Sequence, residues 1–375
     1  MDKEDVFAYI YSKSGLSNRT LNTLCKLTGR FELIQFLQKE DVYGLIDEKY
    51  LYKLLSLNDD ISCDYMSYEK SARIFYSDLK VKKIKWTHLT CPDYPKRLKT
   101  LEDPPSLLFY IGELPDENVP TVSIIGAREC SEYGKKMACT FSKELSMEGV
   151  QIISGMARGI DGIAQKTCAD AGGRTFAVLG SGTDVIYPPE NKDIYSKIIV
   201  KGGILSELYP GTQPEKKFFP ARNRIISGLS DIVLVIEARK KSGTLITVSQ
   251  ALEQGREVFA VPGRVCDGLS YGCNELIANG AGVAMSTERI LEAIGRERQY
   301  TFNDYSVNYR LDFRDSIQKD IVNLLRQQTM NVDELYEIMR DGIDYSDLIE
   351  KLMEMQLLDL IYKSGNNYVL RGEYI

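Results

Sequence analysis

Between residues 121 and 295 the chain alternates short, continuous runs of Val, Ile and Leu with longer amphipathic segments. The apolar runs lie near 121–126, 150–155, 174–180, 203–207, 231–237, 257–262 and 283–286. The spacers, near 132–148, 159–172, 190–201, 244–255, 271–279 and 287–294, have helical periodicity. Strands apolar on both faces and joined by helices predict an α/β fold with a doubly wound, mostly parallel sheet. Residues 1–78 read instead as a small all-α N-terminal domain of short helices, with Ser17 or Asn18 as an N-cap and Gly29 as a C-cap. The central domain, 79–298, opens on a basic stretch whose Pro92, Pro95, Pro104 and Pro105 exclude a long helix and predict an extended lead-in to the sheet. A polar linker, 299–314, follows. Residues 315–375 read as three helices and a hairpin with a Gly-Asn turn, a C-terminal winged-helix-like domain.

Nearly every strand of the central domain stops at glycine, often with arginine or lysine close behind. TVSIIGAR reaches Gly126 and Arg128, VQIISGMARG reaches Gly155, Arg158 and Gly159, and RTFAVLGSG reaches Gly180 and Gly182. DIVLVIEARKKSGT ends in Lys241, Ser242 and Gly243. Ligands of open α/β sheets bind at the carboxyl ends of the strands, where glycine turns and helix N-termini bring backbone N–H groups to an anion. Several such turns on one edge predict a long, multiply charged ligand.

Composition is that of an ordinary soluble globular protein, 43% hydrophobic and 27% charged over 375 residues. No run approaches 18 apolar residues and the N-terminus MDKEDVFAYIYSKSG has no signal-type core, so no membrane span and a cytoplasmic location are expected. Eight scattered cysteines form no CxxC and His88 is the sole histidine, which predicts reduced thiols and no metal site. A net charge of −6 argues against a polyanion ligand until it is divided by region. Residues 301–375 hold 8 basic and 14 acidic residues, and the rest of the chain is balanced at 39 of each. The sheet domain is therefore free to carry a locally basic face.

The candidate chemistry is mostly that of binding. The first turn is not GxGxxG, and the second strand ends in Ser154-Gly155 where a dinucleotide fold wants an acid, so no nicotinamide cofactor is expected. There is no GxxxxGK[ST] and no GxSxG, and Asp161 suits a helix-capping role. Residues 216–224 are the most informative. Lys216, Lys217, Arg222 and Arg224 stand without an acid among them, interleaved with Phe218 and Phe219. Cations that track phosphates beside aromatics that stack on bases are what single-stranded nucleic acid requires.

These motifs, with PDYPKRLKTLEDPPSLLFYIG, AVLGSGTDVIYPPEN, FPARNRIISGLS, VIEARKKSGTLIT and GREVFAVPG in one order across about 91–295, resemble the DNA-processing protein A family, DprA or Smf. The resemblance implies a Rossmann-like sheet that binds single-stranded DNA, forms a homodimer, and uses neither cofactor nor catalysis. It further implies a recombination mediator that protects incoming strands and loads RecA recombinase during natural transformation. By motif, Gly126, Arg128 and Ser131 of the first turn and Gly155, Arg158 and Gly159 of the second would contact DNA. Lys216, Lys217, Phe219, Arg222, Asn223 and Arg224 would line the strand's path, joined by Lys241, Ser242 and Gly243. Where the family often has Ala-His this chain has Ala164-Gln165, which removes any proton transfer at that position. Asp347, Glu350 and Glu354 stand against Lys351 in the third C-terminal helix, so that domain is expected to dock on protein or regulate access rather than read a groove. The alternatives are a nucleotide-hydrolysing enzyme, whose Gly-Gly-x-Gly-Thr loop the Ser242-Gly243-Thr244 turn matches only in part, or a sensor of a nucleotide derivative.

Overall fold

A computed structural model describes residues 2–295, 316–340, 342–357 and 360–370. The chain divides into two compact units, Met1–Arg298 and Gln299–Ile375. The expected linker, 299–314, lies outside the described residues.

The first unit is built on a single sheet. Its strands are β1 (Lys85–His88), β2 (Leu107–Gly112), β3 (Thr121–Ile125), β4 (Gln151–Ser154), β5 (Thr175–Val178), β6 (Gly203–Ser206), β7 (Ile232–Val235), β8 (Glu257–Ala260) and β9 (Gly282–Val283), in the order β1-β2-β6-β5-β4-β3-β7-β8-β9. β3 to β9 are parallel and coincide with the seven expected strands. The proline-containing lead-in contributes more than an extended approach: β1 and β2 add two antiparallel strands at the β6 edge.

Alternation within the strands shows why the sheet is covered on both faces. Val122, Ile124, Ile152, Ile232 and Leu234 enter one apolar cluster, while Ile125, Ile153, Val233 and Val235 enter another. Each fully buried aliphatic side chain stabilises the fold by about 1.5–3 kcal/mol. The N-terminal helices join the second cluster through Phe7, Tyr11, Leu24 and Phe31. Ser17 caps the helix Asn18–Thr28 by accepting from the Thr20 N–H, and Gly29 closes it at φ 76°, as the sequence predicts. The N-terminal helices are not all short as expected: one runs Glu48–Val81, kinked where Asp64 leaves helical geometry. Among the described residues no helix is long and apolar enough to cross a membrane.

From β3 the chain winds through β4, β5 and β6 in one direction, then returns to β7 on the other side of β3. This reversal opens a crevice between the loops that follow β3 and β7, the usual ligand position in such sheets.

The second unit contains helices Ser316–Gln327, Val332–Met339 and Tyr345–Leu357 and a hairpin of β10 (Ile361–Ser364) and β11 (Asn367–Leu370). Gly365 of the expected Gly-Asn turn has φ 64°. Leu335, Leu348, Leu352, Ile361 and Leu370 form its own core.

Candidate nucleic-acid interface

The crevice is a cleft of about 580 Å³ whose lining comes mostly from four loops, with the starts of the helices that follow two of them, and from one further helix. Gly126 and Arg128 follow β3, Ala157 follows β4, and Tyr187 lies after β5. Ser242, Gly243 and Thr244 follow β7. The fifth contributor is the helix Phe218–Gly228, which was not among the expected helices. Pro220 is tolerated there because it falls in the first turn, where its missing N–H has no partner to lose. Phe219, Arg222, Asn223 and Ile226 recur at helical spacing and face the cleft.

The arginines of this site do different work. Arg128 is exposed and has no carboxylate partner among the described residues; its guanidinium lies 5.6 Å from the Phe219 ring centroid. Phe219 in turn packs on Tyr187 at 5.6 Å, giving a cation and two aromatic rings in series on the rim. Arg222 is only 5% exposed and donates to the carbonyls of Gly155 and Val178. Burial pushes it down to about 10, an effect the Asp161 charge opposes, so it stays charged at neutral pH. Asp161 is buried too, and burial raises it against the pull of Arg222 and of the Gly155 N–H, which donates to it at 3.2 Å. It ties the second loop down rather than capping its own helix. A Cβ on Gly155 would lie 2.3 Å from Arg222 Nη1, which is why this position is glycine.

Gly159, at φ 73°, packs against the first loop, where a Cβ would lie 2.3 Å from the Ala127 carbonyl. Between these glycines Met156 is held at φ 52°, a left-handed conformation costing a side-chain residue roughly 1–2 kcal/mol. Gln165, fully buried, stabilises it by accepting from the Met156 N–H at 2.9 Å while donating to the Phe176 carbonyl at 3.0 Å. The residue that departs from the family pattern is therefore a core amide.

Of the other expected contacts, some are engaged elsewhere and some line or flank the cleft. The Ser131 N–H and hydroxyl both donate to buried Glu237, and the same hydroxyl accepts from the Gly134 N–H, so that helix N-terminus already holds a carboxylate. Arg224 points to the other side of its helix and grips Glu207 at 2.8 and 2.6 Å and the Asp103 carbonyl at 2.8 Å. Lys217 pairs with Glu215 at 2.8 Å. Arg158 lies on an adjoining part of the cleft and pairs with Glu190 across the surface. Lys216 lines the cleft and Lys241 stands exposed beside it, neither with a carboxylate partner among the described residues. Ser242 caps the helix Gly243–Glu253 by accepting from the Thr244 N–H, and Gly243, with open space where a Cβ would stand, sits at the positive end of the helix dipole. Tyr187 was missed, although its motif, VIYPPEN, was visible: an aromatic held before two prolines after a strand end is a stacking candidate.

All of these cleft residues fall inside residues 85–295, which match the family model for DNA recombination-mediator protein A. The chain belongs to this family. It is 46% identical over 198 residues to DNA processing protein DprA of Streptococcus pneumoniae, covering 53% of this chain and 70% of that one. Protein Smf of Escherichia coli is 36% identical over 282 residues, 74% of each chain. The match to Protein Smf of Synechocystis, 44% identical over 208 residues, spans about half of that protein, 52% of its length and 54% of this chain. The crystal structure of the pneumococcal family member superposes with a TM-score of 0.64 at 34% identity, covering 78% of this chain and 98% of that one. A structure of the Helicobacter pylori family member, described for its single-stranded DNA binding mode, gives 0.50 at 31% identity, covering 56% and 95%.

Proposed function

We propose that the cleft binds single-stranded DNA and that the protein serves as a recombination mediator. In this reading a homodimer shields incoming strands and passes them to RecA recombinase during natural transformation. The observation that carries the strand-binding step is the series Arg128, Phe219 and Tyr187 on an open rim, a cation for phosphate beside rings for bases. Lys216, Lys241 and the Gly243 N–H extend the row. Asn223 offers an amide to phosphate or base. Asp161, the carboxylate that lines the cleft, is committed to the Gly155 N–H, which supports binding over hydrolysis.

Three unpaired cations at about 0.7 counterions each give a slope of log K against log salt near −2 for the cleft alone. Fluorescence anisotropy of a labelled oligothymidylate across a salt series tests this. Arg128→Ala should weaken binding at every sequence alike and flatten the slope by about 0.7. Unchanged affinity would remove the assignment.

A further inference from the structure

A second cavity, of about 780 Å³, lies between the helix Glu48–Val81 and the edge strand β1. Every charged side chain that lines it is a cation: Arg73, Lys80, Lys83 and Lys85. Its apolar wall is aromatic. Trp86 is half-buried and packs on Tyr76 at 4.4 Å, while Tyr110, paired with Lys85 across the strands, also lines the cavity. Arg73 pairs with Glu69, and Lys85 donates to the Gly112 carbonyl at 2.9 Å. Lys80 and Lys83 have no carboxylate partner among the described residues.

Lys83 carries the decisive oddity. It sits at φ 57° in the turn that ends the helix, where its N–H donates to the Lys80 carbonyl and the Ile84 N–H to the Leu79 carbonyl. That position belongs to glycine on conformational grounds. A lysine here accepts strain and adds a like charge to the three already facing the cavity. The helix dipole accounts for cations at 80 and 83, since they stand at the C-terminus. It does not account for Arg73, more than two turns back, nor for Lys85 on the strand, nor for the half-buried indole of Trp86, which donates a hydrogen bond to Asp5 and keeps part of its ring at the cavity.

We propose that this cavity binds a nucleotide unit, its base on Trp86 and its phosphates among Lys80, Lys83 and Arg73. The shared chemistry is a planar base carrying phosphate, supplied by a free nucleotide or by a stretch of single-stranded nucleic acid. The site is separate from the cleft. β1 stands five strand steps from β3, about 24 Å at the usual spacing.

Trp86 is the chain's sole tryptophan, so its fluorescence reports this cavity and is silent to the cleft. The full-length protein is titrated with adenosine triphosphate and, in a second arm, with an oligothymidylate. Saturable quenching in either arm is expected, and which arm responds identifies the source. Lys80→Ala with Lys83→Gly should weaken that quenching by about tenfold or more, since each charged contact to phosphate is worth close to tenfold. The glycine fits the turn and relieves its strain, so the variant keeps its fold, which an undiminished melting temperature confirms. In the adenosine triphosphate arm Arg128→Ala should leave the quenching intact, because a mononucleotide at Trp86 does not reach the cleft, so a failure of the strand-binding reading at the cleft does not touch this one. The proposal is overturned by an absence of saturable quenching in both arms. It is equally overturned by quenching that survives the lysine changes, or by adenosine triphosphate quenching that vanishes in Arg128→Ala.

Discussion

Arg222 and Arg128 lie in one cleft, yet the structure assigns them opposite phenotypes. Arg222 is buried, its guanidinium joining the loop after β4 to the end of β5 through the Gly155 and Val178 carbonyls. Replacing it by methionine removes two charge-assisted hydrogen bonds, each worth about 1.5–3 kcal/mol. It also leaves Asp161 buried without the nearby cation that favours its charge. The sum falls in the range of about 3–5 kcal/mol found when one partner of a buried ionic arrangement is lost. At about 2–4 °C per kcal/mol for a large unit, Arg222→Met should lower the melting temperature by on the order of 10 °C. Arg128→Ala, on the exposed rim, should leave it within about 1 °C while strand affinity drops. Adding Asp161→Asn to Arg222→Met should cost less than the two changes separately, because the uncompensated charge is then gone. Calorimetry beside anisotropy separates the cases. An Arg222→Met protein that melts like the parent but fails to bind DNA would show that the guanidinium works on the ligand, contrary to the geometry.

Glu190→Gln frees Arg158 from its surface pair, and strand affinity at low salt should rise by up to about fivefold, read by anisotropy, with no loss of stability. Arg224→Ala should act on stability rather than on the salt slope, because its partners are Glu207 and the Asp103 carbonyl; a flattened slope would return it to the interface. His88 is buried, which alone lowers its pKa, but Asp5 and Cys91 raise it to about 9. Its protonated form therefore contributes stability that is complete below about pH 6.5 and lost as pH rises through 9, at most about 3 kcal/mol. Melting temperatures from pH 6 to 10 should show that loss relative to a His88→Gln variant, whose curve lacks this component.

The parallel sheet was legible because its strands are buried on both faces and glycines mark most of the turns that follow them. What escaped were elements whose signals were overridden by context. β1 and β2 hide among prolines, and their pairing depends on an edge of β6 that no local pattern announces. The helix Phe218–Gly228 hides behind Pro220 and a dense run of cations, and this omission had a cost for the site. Treated as an irregular segment, Lys217, Arg222, Asn223 and Arg224 are equivalent. Placed on a helix, adjacent residues diverge by about 100°, which sends Asn223 to the cleft and Arg224 to Glu207. Ser131 escaped for a related reason, since only the fold brings Glu237 to its helix N-terminus.

A strand-binding rim has to satisfy two demands that conflict. It needs unpaired cations at the surface, which repel one another and loosen the loops that carry them. Here a second layer answers the first. Beneath the exposed Arg128, the buried set of Arg222, Asp161 and Gln165 fastens the loop after β4 to β5, and Gly159 locks the loop after β3 against its neighbour. Strain at Met156 persists because Gln165 satisfies its N–H and Asn191 donates to its carbonyl. The same residue type thus holds the cleft's shape where it is buried and, on the proposed reading, is free to meet phosphate where it is exposed. Burial, not motif membership, decides which arginine a strand can reach.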